Sequence, residues 1–130
     1  MKKLIVISCV FALLLGLSVT EMILTDNLYR SMSDKLAALD AQFVLLPEET
    51  DSEKNLASYR EIEELWLKNR PFTLSMSNHA LARTVDERLV TLRVWMEQNN
   101  AEESRVAANT ARRLVDDLRD ETFPAAVNIF

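Results

Sequence analysis

The sequence predicts an all-α protein: an N-terminal transmembrane helix followed by an up-down bundle of about four helices. Lys2 and Lys3 precede an apolar run from Leu4 to Val19, and Glu21 is the first acidic residue. No glycine follows Gly16. The three prolines all fall at breaks in the apolar pattern: Pro47, Pro71 and Pro124. Between these breaks apolar residues recur at steps of three and four, which is typical of one face of a helix.

Residues 1–24 form the predicted membrane anchor, and residues 25–130 form the predicted extracytoplasmic helical bundle domain. A segment from Leu4 to Leu24 would be about 31 Å long as a helix, enough to cross a hydrocarbon core of roughly 30 Å. The two lysines before it favour a cytoplasmic N-terminus and an external C-terminal domain. The segment is therefore predicted to be a signal-anchor in the cell membrane.

The alternative is a signal peptide that is cleaved after Ser18, which would leave a secreted protein. The uncleaved anchor is favoured because the apolar phase continues through Leu24, Leu28 and Met32, with no glycine or proline to expose a cleavage site. Cys9 is the only cysteine. The apolar core lies after Cys9 rather than before it, which disfavours a lipid-attachment site and favours simple packing in lipid. The outer domain has no cysteine, so it can form no disulfide.

The outer domain is acidic. Apart from Lys2 and Lys3, 13 of the 15 basic residues remain against 20 acidic residues, a balance of −7. Nucleic-acid binding is excluded as the expected role because it requires a clustered basic surface. Anionic lipid head groups would repel this domain, so it is expected to stand away from the membrane.

The first helix after the anchor is predicted from about Asn27 to Leu46, either as a separate helix or as a continuation of the membrane helix. Its apolar stripe is as narrow as that of a coiled coil, and Pro47 is expected to end it. The second is predicted from Asp51 to Asn69, with Thr50 to Glu53 as its capping box and Arg70-Pro71 as its end. Residues 72–76 are then expected to be a linker that packs on the bundle.

The third helix is predicted from about Asn78 to Gln98, with Ser75 or Ser77 as its N-cap and Asn99-Asn100 as the turn after it. The fourth is predicted from Ala101 to the break at Phe123-Pro124. Three alanines on its apolar face permit close approach to a neighbouring helix.

The last six residues, 125–130, carry no charged side chain and end in Ile129-Phe130. An exposed apolar end invites aggregation and proteolysis. We expect this tail to dock on the bundle or, alternatively, to bind a partner through Ile129 and Phe130.

Few side chains suggest chemistry. His79 is the only histidine, a residue type used in catalysis and in pH sensing, with Arg83 and Asp86 four and seven residues after it. It has no visible nucleophile or second metal ligand, so we predict a structural role near a helix end and no catalytic residue.

Metal binding receives little support. The Glu-x-x-His pair of di-iron bundles is absent, because Met76 stands three residues before His79. The acidic residues of segment 116–121 could attract a hard cation. However, Arg112, Arg113 and Arg119 lie within pairing distance along the same helix. This segment is therefore interpreted as a solvated charged face, and neither a metal nor another cofactor is predicted.

Both tryptophans lie on predicted apolar stripes. Trp66 belongs to the second helix and Trp95 to the third. They are interpreted as core anchors rather than ligand-stacking residues.

The layout resembles an uncharacterised family of small, singly anchored helical proteins of Gram-positive bacteria, a domain of unknown function. The matching features are the Lys-Lys start with its apolar run, Trp66 followed by a short linker to Asn78-His79, and the helix to Trp95-Met96. The break at residues 99–102 and the closing Asn128-Ile129-Phe130 also match. The resemblance implies a membrane-anchored helical domain and no particular activity. The large share of arginine in the C-terminal half departs from this pattern.

Two functions remain open at this point. The first is a non-enzymatic interaction module of the cell envelope, whose partner is another envelope protein. The second is an extracytoplasmic four-helix ligand-binding or sensor domain. The sensor is the weaker reading, because only Met1 to Lys3 would lie in the cytoplasm and signalling inward needs an output domain.

Overall fold

The computed structural model describes residues 1–76 and 79–122, and within these ranges the chain is helical throughout apart from short connections. Four helices are described. They are α1 (Lys2–Leu45), α2 (Glu53–Met76), α3 (His79–Glu97) and α4 (Ala101–Thr122). The all-helical prediction is confirmed. Ser77, Asn78 and the tail from Phe123 to Phe130 lie outside the described residues.

Helix α1 is one continuous helix of 44 residues, about 66 Å long at roughly 1.5 Å per residue. The first half of α1 contributes no buried side chain to the core, and Thr25 is the first buried residue of the helix. One window of 18 residues in α1 is long and apolar enough to cross a membrane, and none of that window is buried. Of the two possibilities left open for the first helix of the bundle, continuation of the N-terminal apolar helix is the one observed.

All four helices bury residues at alternating steps of four and three. The buried positions in this repeat are Thr25, Tyr29, Met32, Leu36, Leu39 and Phe43 of α1; Asn55, Tyr59, Ile62, Trp66, Asn69 and Thr73 of α2; Ala82, Val85, Leu89, Leu92 and Met96 of α3; and Ser104, Ala108, Ala111, Val115 and Leu118 of α4. Ser33 and Ala107 are buried beside them. This seven-residue repeat is the pattern of helices that pack knobs into holes. The helices therefore form a bundle whose core is a series of layers.

Side-chain size sets how closely the helices approach. Helix α4 packs most extensively, against both α1 and α3, while α2 approaches α3 less closely. The small side chains of Ala107, Ala108 and Ala111 let α4 come near its neighbours, as expected from the sequence. The larger Tyr59 and Trp66, which are both buried, hold α2 further away.

The predicted end of the second helix is wrong, because Pro71 lies inside α2. Proline removes one backbone N–H bond, to the carbonyl four residues earlier. Pro71 and Leu67 both face solvent, so water can satisfy the freed carbonyl. Packing continues beyond the proline through buried Thr73, which donates a hydrogen bond to the Asn69 carbonyl at 3.1 Å. The predicted linker 72–76 is therefore wrong, since its backbone forms the last turn of α2.

The predicted cap of α2 also needs correction. Ser52, not Thr50, accepts the capping bond, from the Asn55 amide at 3.2 Å. Thr50 is fully buried, and it connects the α1–α2 loop to the α3–α4 turn instead.

Candidate functional site

The end of the bundle that holds the α1–α2 loop and the α3–α4 turn is the distal end, because it lies farthest along α1 from the apolar N-terminal segment. Side-chain hydrogen bonds connect its two loops. The side-chain oxygen of Asn99 accepts hydrogen bonds from the Thr50 amide at 3.0 Å and the Thr50 hydroxyl at 2.9 Å. The side-chain NH₂ group of Asn99 donates to the Glu48 carbonyl at 2.6 Å. One asparagine thus fastens the first loop to the second turn.

Asn99 can do this because its backbone is left-handed, with φ of 55°, a conformation that asparagine tolerates better than most residues. The backbone amide of Asn99 donates to the Met96 carbonyl, and the backbone amide of Asn100 donates to the Trp95 carbonyl, both at 3.0 Å. This pair of bonds is a Schellman ending for α3. Asn100 then caps α4 through its side-chain oxygen, which accepts from the Glu103 amide at 3.1 Å. The turn predicted at Asn99-Asn100 is confirmed.

The distal end exposes an apolar group. Val44, Leu45 and Leu46 are 55%, 70% and 49% exposed, and Pro47 is exposed beside them. We call these four residues the distal tip. They follow Phe43, which is fully buried, so the core ends abruptly and its apolar character continues onto the surface.

Exposed carboxylates lie at the same end of the bundle as the distal tip, on the two loops that Asn99 joins and on the helix ends beside them, and we call them the acidic rim. It comprises seven exposed residues: Glu48, Glu49, Asp51, Glu53, Glu97, Glu102 and Glu103. Lys54 and Arg105 are the basic residues of the same stretches, 44–54 and 97–105. Arg105 is already paired with Asp40 at 3.0 Å, and Glu97 of the rim is paired with Arg93 at 4.0 Å. The distal end therefore combines an apolar centre with a strongly negative border.

A second surface runs along the antiparallel pair α1 and α4. Three arginines of α4, seven residues apart, reach three polar residues of α1, also seven residues apart. The pairs are Arg119 with Asp26, Arg112 with Ser33 at 3.3 Å, and Arg105 with Asp40 at 3.0 Å. Exposed pairs of this kind contribute only about 0–1 kcal/mol each. All three form together only when α1 and α4 are aligned in this one register.

These contacts give a structural role to arginines whose abundance the sequence did not explain. Pairing along α4 is expected from the sequence, whereas Arg112 and Arg119 reach across to α1. The open groove beside them has a volume of about 400 Å³ and is lined by Arg30, Ser33, Asp34, Arg112, Asp116, Arg119 and Asp120. It is a charged groove on the surface rather than an enclosed cavity.

Trp66 occupies the core between α2 and α3, with 2% of its surface exposed. Its indole N–H donates to the Asp86 carboxylate at 2.5 Å, and the Arg70 guanidinium pairs with the same carboxylate at 3.0 Å. Trp95 is only half-buried and packs against the core from outside. Both tryptophans contact the core as expected, but only Trp66 is fully enclosed.

His79 is exposed at the first residue of α3. Asp86, which the sequence places on the same side as His79, is engaged by Trp66 and Arg70. Among residues 1–76 and 79–122, no group of three or more histidine, cysteine or acidic side chains could hold a metal ion. Ile129 and Phe130 lie outside the described residues, so docking of the tail stays a prediction.

Tyr59 is the described group with a clear perturbation of its acidity. Burial, with a further contribution from the negative charge of Glu63, raises the pKa of the Tyr59 phenol well above its usual value. Its hydroxyl donates to the Leu89 carbonyl of α3 at 2.9 Å. This protonated phenol joins α2 to α3 and has no substrate-facing position that would make it a catalytic acid.

No protein-family model, curated protein or solved structure matches this chain. The resemblance to the singly anchored helical family therefore remains a prediction.

Proposed function

We propose that this chain is a membrane-anchored, non-enzymatic interaction module of the cell envelope, with its N-terminus in the cytoplasm and its bundle outside. The observation that carries the proposal is the continuity of α1. One helix joins an uncovered apolar segment to the bundle core without a break. A rigid helix of this kind would hold the distal end at a fixed height above the membrane.

The continuous helix also favours anchoring over cleavage. Residues 16–18, where a signal peptidase would cut, lie inside α1. Within the same segment the Thr20 hydroxyl donates to the Gly16 carbonyl at 2.8 Å, so this polar group has a partner that does not require water, as a lipid environment demands. Lys2 and Lys3 support the proposed orientation.

The surface supports binding rather than chemistry. Two depressions on the described surface are open grooves on and beside α4, lined mainly by charged and polar side chains. The distal tip, in contrast, exposes several large apolar side chains together. Clustered apolar surface is the usual mark of a protein-binding site.

The proposal is tested by affinity purification from detergent-solubilised membranes of the native organism. The full chain with its own anchor is compared with a chain in which a cleavable signal peptide replaces residues 1–24. We expect the anchored chain to stay in the membrane fraction and to co-purify with a specific envelope protein. Recovery of the full chain from the culture medium, or purification without any specific partner, would contradict the proposal.

A four-helix ligand-binding or sensor domain is the second candidate, and the α1–α4 groove is the observation in its favour. Three guanidinium groups and three carboxylates line it, a set that suits a small ligand carrying both charges. Arg112→Ala removes a groove residue, while Arg113→Ala removes an exposed arginine that does not line this groove. A ligand that raises the melting temperature of the wild type and the Arg113 variant, but not of the Arg112 variant, would favour the sensor.

A further inference from the structure

We propose that the distal tip binds a cationic amphipathic segment of an envelope protein: a short stretch of apolar residues flanked by lysine or arginine. The inference rests on the proposed function as an interaction module and names its surface and the chemistry of its partner. The observation behind it is the juxtaposition of the exposed tip, residues 44–47, with the acidic rim.

The tip is a prearranged surface. The Leu46 amide bonds to the Gln42 carbonyl at 2.9 Å, and the Glu49 amide bonds back to the Leu46 carbonyl at 3.1 Å. From the other side, the Asn55 side chain donates to the Glu49 carbonyl at 2.9 Å. Together with the bonds from Asn99, these contacts fix the backbone on which the apolar side chains stand. A surface that is already ordered loses less entropy on binding, which favours affinity.

The rim selects the sign of the partner's charge. The exposed carboxylates lie at the same end of the bundle as the tip, within the two stretches 44–54 and 97–105, and at physiological salt their field extends about 8 Å. Complementary charge speeds association and rejects like-charged surfaces. A positively charged border on the partner would therefore be attracted, while its apolar centre would cover Val44 and Leu45.

The same charges disfavour the other occupants. A second copy docked tip to tip would bring two acidic rims together, which costs free energy. Anionic lipid would be repelled in the same way, and the tip lies about 33 Å along α1 from Leu24 at roughly 1.5 Å per residue. A partner protein with a basic border is the occupant that agrees with both the height and the charge.

The experiment uses the full chain in native membranes, with the photo-reactive amino acid benzoylphenylalanine placed at Leu45. The matched control carries it at Leu67, an apolar residue of α2 that is 57% exposed but lies outside the rim. After irradiation the cross-linked peptide is identified by mass spectrometry. We expect the Leu45 probe, and not the Leu67 probe, to capture a protein segment that is rich in apolar residues and lysine or arginine.

A charge reversal then tests the rim. The double variant Glu48→Lys, Glu49→Lys keeps the backbone carbonyls that bond to Asn99 and Asn55, so the loop should retain its structure. We expect cross-linking from Leu45 to fall by about tenfold. The control variant Asp117→Lys, Glu121→Lys makes the same change of charge at two exposed residues of α4 that lie away from the tip and do not line the α1–α4 groove, and it should leave the yield unchanged.

Capture of an acidic or uncharged segment, of lipid or of a second copy would overturn the inference, as would the absence of any adduct at Leu45. An equal loss in both charge variants would also overturn it, because the effect would then be general rather than local. If Leu45 captures nothing while affinity purification still yields a partner, the tip is wrong and the interaction module stands. If purification yields none as well, both proposals fail.

Discussion

Removing the Asn99 side chain should unfasten the distal end of the bundle. Asn99→Gly keeps the left-handed backbone but deletes the bonds from the Thr50 amide and to the Glu48 carbonyl, together with one of two acceptors of the Thr50 hydroxyl. That hydroxyl keeps the Met96 carbonyl as an acceptor, at 3.2 Å. Each such bond has a net value of about 0.5–1.5 kcal/mol. Thr50 is fully buried, so its amide is left without a partner and the cost lies toward the upper part of the range. We expect the free energy of unfolding to fall by about 2–3 kcal/mol.

Asn99→Ala should cost more than Asn99→Gly, because a left-handed backbone adds roughly 1–2 kcal/mol for a residue with a Cβ. The lower backbone entropy of alanine in the unfolded chain offsets about 0.4–1 kcal/mol of this. Alanine is therefore expected to be worse than glycine, which reverses the usual order at exposed positions inside helices.

The assay is urea unfolding of the full chain in detergent, followed by tryptophan fluorescence. Trp66 and Trp95 are the only tryptophans in the sequence, and both contact the bundle core, so the signal reports the bundle and not the apolar segment. The matched control is Asn109→Ala. That exposed asparagine bonds within its own helix, to the Arg105 carbonyl at 2.8 Å, and its loss should change stability by less than about 0.5 kcal/mol.

Two results would refute this reasoning. If the free energy of unfolding of Asn99→Gly lies within about 0.5 kcal/mol of the wild-type value, the bonds of the Asn99 side chain do not hold the loops together. If glycine and alanine at this position are equally destabilising, the left-handed backbone contributes nothing to the effect.

Four other results are expected. Trp66→Ala should destabilise the bundle by about 3–5 kcal/mol, measured by the fluorescence of Trp95, and unchanged unfolding would contradict burial of the ring. The raised pKa of Tyr59 means that the folded state keeps a proton that the unfolded state loses near pH 10. The contribution of Tyr59 to the free energy of unfolding should therefore be constant below about pH 10 and fall above it. In urea titrations, Tyr59→Phe should show a smaller loss of stability at alkaline pH. His79→Gln should alter the free energy of unfolding by less than about 0.5 kcal/mol because the ring is exposed, and should preserve co-purification with the partner; loss of the partner with intact folding would give His79 a functional role. N-terminal sequencing of the protein from membranes should find the original start, whereas a start at Val19 would mean cleavage.

The arginines of α4 show how a pattern in the sequence acquires meaning only in three dimensions. Arg105, Arg112 and Arg119 stand seven residues apart, and so do their partners on α1. Each spacing is visible in the sequence, but spacing alone does not say which helix faces which. The antiparallel packing of α1 and α4 brings the two series together, and the ladder then marks their register.

The sequence by itself determined the helical class, the turn at Asn99-Asn100 and the apolar faces. Stripes with steps of three and four, almost without glycine, admit little other than helices. The long apolar start was equally plain, and the burial of Trp66 agreed with its place on a stripe. These features are local, since they depend on periodicity and on the conformational preferences of nearby residues.

Only the tertiary structure decided the features that depend on distant residues. Proline normally ends a helix, but packing of Thr73 against Tyr29 of α1, with their hydroxyls 2.5 Å apart, accompanies the continuation of α2 beyond Pro71. The sequence predicts Thr50 as part of a helix cap, whereas in the structure it bonds to Asn99, 49 residues later in the chain. Leu46 ends the apolar stripe predicted for the first helix, yet it is exposed in the distal tip. Its exposure follows from where the core ends, which depends on the lengths and register of all four helices rather than on any one segment.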